Sequence, residues 1–187
     1  MGPSLGSTRG TLQAWQKVAG GWTRVGTSTP AWFGSAGLTT HMSEQISGTP
    51  VGSFTLTQAF GSQPNPGAAL PYFRTDSADW WISKTTAPDA ALYNTHQHCA
   101  GSCPFTQGAP NEHLVTAQPF YRYALVVDYN TRNAPGGVRV GAGSAVFLHV
   151  TVNAPTEGCI SIDESRLVAL MRWLTPGSHP RILIGVH

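Results

Sequence analysis

Glycine and proline interrupt this chain so often that no long helix can run through most of it. Its 187 residues hold 21 glycines and 14 prolines, scattered from end to end. Between them lie strand-sized apolar pieces bounded by turn residues, the pattern of a β-rich domain. Leu12–Val18 and Trp22–Val25 flank Ala19-Gly20-Gly21 and predict a hairpin. Val51–Ala59, Tyr121–Asp128, Ser144–Thr151 and Arg181–Val186 read as further strands. In Tyr121–Asp128 the alternation places Tyr121, Tyr123, Leu125 and Val127 on one face. Trp15, Trp22 and Trp32 read as core or strand-face residues.

One helix escapes the interruptions. Leu167, Leu170, Met171 and Leu174 recur at helical spacing, and Pro176-Gly177 stops the run. The pattern predicts a helix near 163–174, with Ser161 opening a capping box and Asp163 as the competing cap. Gly61–Gly108 is turn-rich and predicts long loops around a site. The length suits one domain, with residues 1–11 as an N-terminal tail and 12–187 as the folded unit.

Charged residues make up only 11% against a usual figure of roughly 25%, so hydroxyl, amide and glycine groups must cover the surface. Net charge is +2 and no Lys/Arg run exists, which removes the case for nucleic acid. Apolar runs such as Ala145–Val150 fall far short of the ~20 residues of a membrane helix. The opening residues lack a signal peptide's basic and apolar regions, leaving a cytosolic protein or a processed exported one.

Three cysteines are an odd count. Pairing Cys99 with Cys103 leaves Cys159 as a single free thiol and favours an exported protein. His96, His98, Cys99, Cys103 and His113 also have spacing that allows a zinc site, and the disulfide is the preferred reading.

His149 ends a β-branched run, ten residues before Cys159. Gly158 frees the backbone beside the thiol, and a helix start follows. A cysteine nucleophile needs a base within reach and amides aimed at an oxyanion, and this segment can supply both. On the residues alone, a satisfied strand histidine and a small buried cysteine are the preferred reading.

The run Phe147-Leu148-His149 followed by Pro155-Thr156-Glu157-Gly158-Cys159-Ile160-Ser161-Ile162 resembles the active-site signature of the L,D-transpeptidase catalytic domain (the YkuD family). Gly48-Thr49-Pro50-Val51-Gly52-Ser53-Phe54 resembles that family's Thr-Pro-X-Gly-X-Phe element. Pro64–Tyr72, Asp79-Trp80-Trp81 and Leu92-Tyr93-Asn94 resemble loops of its exported actinobacterial branch. Glu157 stands where many members have His, and Ser161 where many have Arg or Asn.

The resemblance implies a mainly β fold, a bent β-sandwich with a few helices. It implies acyl transfer, with Cys159 as nucleophile, His149 as base, and the Gly158 and Cys159 amides holding the oxyanion. The substrates would be peptidoglycan stem peptides, joined in 3→3 cross-links or hydrolysed, and carbapenems would acylate the thiol. Thr156, Glu157, Ser161, Tyr93, Asn94 and Trp81 would lie against substrate. No cofactor or metal is implied; a monomer in the bacterial cell envelope is. A binding module of the same fold without turnover is the alternative.

Overall fold

A computed structural model describes all residues 1–187. The chain is mainly β. Its strands are β1 (Arg9–Val18), β2 (Gly21–Trp32), β3 (Leu38–Thr39), β4 (Thr49–Pro50), β5 (Gly52–Gly61), β6 (Tyr72–Arg74) and β7 (Asp79–Trp81). They continue as β8 (His96–His98), β9 (Glu112–His113), β10 (Ala124–Val127), β11 (Phe147–Val150), β12 (Ile160–Ile162) and β13 (Arg181–Ile184). The α-helix, α1, spans Glu164–Trp173.

Eight strands form one curled sheet in the order β1-β2-β12-β11-β10-β5-β13, with β6 added beside β5. β7 pairs with β8 on one side and β9 on the other in a small separate sheet. Both faces of the central strands are covered, so β10 and β11 are apolar on alternate residues in both directions. Val146, Leu148 and Val150 enter a core of 17 buried residues shared with Leu167 and Met171 of α1. Ala145 and Phe147 enter a second core of nine, with Phe60, Trp81, Tyr121 and Cys159.

The helix starts where Asp163 Oδ1 accepts the N–H groups of Ser165 and Arg166, at 2.9 and 3.3 Å. Ser161 is fixed in β12, so Asp163 and not Ser161 is the cap. The long strand expected from Tyr121 begins only at Ala124. Pro119 opens a 3₁₀ turn over Phe120–Arg122, and this turn carries Tyr121 into the second core, away from Leu125 and Val127 in the first. Residues 1–11 are not a tail. Gly2 donates to Gly185 O at 2.9 Å, the Met1 ammonium donates to Thr11 O at 2.7 Å, and β1 already begins at Arg9.

Cys99 and Cys103 are joined by a disulfide, with their Cα atoms 5.8 Å apart. The thiolates a zinc site would need are therefore not on offer there. His96 Nε2 instead meets Asp79 Oδ1 at 2.6 Å, and His113 Nε2 meets Ser77 O at 2.9 Å. Asp76, Asp79 and His98 bring ligand atoms within 4.8 Å of one another, but hydrogen bonds inside the β7–β8 region already occupy them.

Candidate active site

β11 and β12 run parallel, joined by only residues 151–159. Parallel neighbours usually need a dozen or more connecting residues. This short link must climb back along β11, and it delivers Cys159 to the start of that strand. Leu148 pairs with Ile160, so Cys159 lies level with Phe147, whose N–H points at Sγ from 3.4 Å. The Cys159 thiol in turn points at Ala145 O, 3.3 Å away. His149 stands two residues further along β11, on the same face as Phe147.

The connecting loop is held at several points. Thr156 donates its N–H to Phe33 O at 2.9 Å, and Ser35 N–H donates back to Thr156 O at 2.8 Å. The Thr156 hydroxyl donates to Cys159 O at 2.6 Å and accepts the Gly158 N–H at 3.2 Å. Thr49, fully buried, donates to the same Cys159 carbonyl at 3.1 Å. Gly158 has φ +137°, and a Cβ there would sit 3.2 Å from Gly48 O. The turn that aims the thiol therefore favours glycine. Because Thr156 takes the Gly158 amide, only the Cys159 amide, which has no partner within the chain, is free to meet an oxyanion.

His149 and Cys159 line one cavity of about 640 Å³. Thr156, Glu157, Gly158 and Ser161 line it too. Trp81, Tyr93 and Asn94, expected against substrate, are buried behind its wall. Trp81 packs edge-on against Phe147, ring centroids 4.9 Å apart. The Asn94 carboxamide accepts from Trp81 Nε1 and Ala145 N and donates to Tyr129 O and Asn130 O. It acts as an internal brace for the strand entering β11.

The His149 Nδ1 lies 2.8 Å from Val150 O. That carbonyl fixes the tautomer with Nδ1–H donating and leaves Nε2 as the basic nitrogen. Burial pushes the imidazole down to about 4. Burial, with the nearby Glu112 carboxyl, pushes the Cys159 thiol up to about 12. At rest the pair is a neutral thiol and a neutral imidazole.

The residues the motif reading missed are Tyr121 and Glu112. Tyr121 lies beside the Cys159 sulfur and donates its hydroxyl to Glu112 Oε2 at 2.6 Å. Its ring meets His149 edge-on, centroids 5.6 Å apart. Burial raises Glu112 from 4.5 to about 7. Between those values the folded chain holds a proton that the unfolded chain has lost, so Glu112 costs stability as pH rises through the window. His149 has the opposite sign: unfolded imidazole gains its proton as pH falls below 6.5 while the folded ring stays neutral to about 4. In the parent protein the two slopes oppose each other. Glu112→Gln removes the first. The variant is expected to gain stability over the parent between pH 4.5 and pH 7.5, by about 2 kcal/mol once screening at the open cavity is allowed for. Urea unfolding of both proteins at the two pH values checks this, and a pH-independent difference contradicts it.

No protein-family model matches the chain, and neither a curated protein nor a solved structure proves similar to it.

Proposed function

We propose that this chain is a cysteine-dependent acyltransferase of the L,D-transpeptidase type, acting on peptidoglycan stem peptides. The observation that carries the reading is the shared cavity of Cys159 and His149, with the imidazole held by the Val150 carbonyl. Sγ attacks the carbonyl carbon of the scissile amide while His149 Nε2 takes the thiol proton. The tetrahedral oxyanion is met by the Cys159 N–H. Collapse breaks the C–N bond, the imidazolium gives its proton to the departing D-alanine amine, and a thioester remains. A second stem's amine then attacks that thioester, His149 takes the amine's proton, and the thiol is released. Water in the amine's place yields carboxypeptidase activity.

The cavity walls carry Glu44, Glu112 and Glu157 and no lysine or arginine. Such walls suit the amine of the acceptor stem. With the thiol raised and the imidazole lowered, proton transfer from Sγ to Nε2 is concerted with attack in this reading. The same shifts favour the second reading, a cell-wall binding module without turnover. Incubation with a tetrapeptide stem and product analysis tests the first. Released D-alanine together with a cross-linked dimer supports it. Stem binding with no product supports the second.

A further inference from the structure

The β1–β2 hairpin leaves the body of the sheet. β2 meets β12 only through Ala31 and Trp32, and every residue from Trp15 to Arg24 is exposed. Trp22 is 65% exposed, Trp15 48% and Val18 44%. The turn from Val18 to Trp22 reads Val-Ala-Gly-Gly-Trp, with no hydrogen-bonding side chain before the indole. Trp15 pairs with Arg24 and Lys17 with Trp22. Opposed residues share a face, as do residues two apart, so both indoles and both cations stand together on one side. The Arg24 guanidinium lies 5.8 Å from the Trp15 ring centre. Residues 1–43 contain no Asp or Glu, so nothing on the arm neutralises these charges.

Leaving two indoles and an apolar turn in water is unfavourable, and a patch of this kind marks a contact surface. Its partner must be apolar within and anionic at its surface. We propose that this arm docks tip-first on an anionic lipid bilayer, with Trp22 and, from the opposite face of the tip, Val18 entering the interface and Lys17 and Arg24 meeting headgroup phosphates. Indoles prefer the headgroup level, and cations beside them are drawn to anionic lipid. A polysaccharide would need amide or carboxylate groups between the indoles to bind its hydroxyls. Gln13, the nearest amide, is already committed to Ala14 O, Val25 O and Arg24, and the Gln16–Thr23 pair lies on the other face. A second copy would set like charges against each other. The proposal is independent of the chemistry at Cys159.

Co-sedimentation of the full chain with vesicles tests it, using phosphatidylcholine alone and phosphatidylcholine mixed with phosphatidylglycerol. Binding to the anionic vesicles only, weakened by salt, is expected. Lys17→Ser and Arg24→Ser should each weaken it roughly fivefold, and Trp22→Ser roughly tenfold. Leu183→Ser, which removes an equally exposed apolar side chain on β13, should leave it unchanged. All four positions are exposed, so unchanged thermal melting is expected for each variant. No binding to anionic vesicles, or equal binding by the Trp22→Ser protein, overturns the proposal. So does Trp22-dependent retention on an anionic polysaccharide or Trp22-dependent dimerisation without vesicle binding.

Discussion

The Cys159→Ala protein is expected to release no D-alanine from a tetrapeptide stem while melting within a few degrees of the parent. The two halves of this prediction rest on different facts. Turnover needs Sγ, since the hydroxyls around it are committed elsewhere: Thr156 to Cys159 O, Tyr121 to Glu112, and Ser161 to the Thr151 hydroxyl. Stability depends little on one sulfur atom: its loss leaves a small void beside Phe147, worth about 1 kcal/mol. For a domain of this size that is a melting shift of roughly 2–4 °C. His149→Ala should retain the thiol but lose general base assistance, slowing release about a thousandfold. Measurement of D-alanine release, with melting curves for each protein, checks both. Parent-like release by Cys159→Ala would contradict the mechanism outright.

Asn94→Ala is expected to be the most destabilising single change near the site, although Asn94 touches no substrate. Its carboxamide makes four hydrogen bonds at 2.8–3.1 Å, to Trp81 Nε1, Ala145 N, Tyr129 O and Asn130 O, and the residue is 3% exposed. Alanine would leave two donors and two acceptors buried without partners. Each orphan costs about 1–3 kcal/mol, and partial relaxation brings the expected sum to about 4 kcal/mol. Asn94 also has φ +56°, which alanine adopts less readily. Trp81→Phe removes only the indole donor and should cost about 1 kcal/mol at that bond. Chemical denaturation orders the three proteins. A loss below 1 kcal/mol for Asn94→Ala would show that the brace is not needed.

The helix and the sheet strands were legible because each follows a period that burial enforces. Leu167 and Met171 face the core at helical spacing, and Phe147–Val150 alternates between two cores. Tyr121 was misplaced because its alternation with Tyr123 and Leu125 crosses the turn opened by Pro119, where the period no longer applies. Trp15 and Trp22 carry a core residue's composition but sit on an arm beyond the sheet; local sequence does not say how far a hairpin extends past its neighbours. In the site, His149 and Cys159 are singled out by their spacing together with the family resemblance, and the structure brings both to one cavity. Glu112 and Tyr121 could not be. Tyr121 packs beside the thiol and Glu112 reaches Tyr121 from a separate segment, joined only by tertiary packing, and their signal is a hydrogen bond between side chains. The assignment of Gly158 to the oxyanion failed for a similar reason: the hydroxyl that captures its amide belongs to Thr156, whose rotamer is set by its bond to Cys159 O.

The central claim is that Cys159 is a nucleophile activated by His149. Intact-protein mass spectrometry after incubation with a carbapenem tests it most directly, on the parent, Cys159→Ala and His149→Ala proteins. The account predicts one covalent adduct on the parent, none on Cys159→Ala, and slow formation on His149→Ala. A folded parent that stays unmodified, or an adduct that persists in Cys159→Ala, would contradict it.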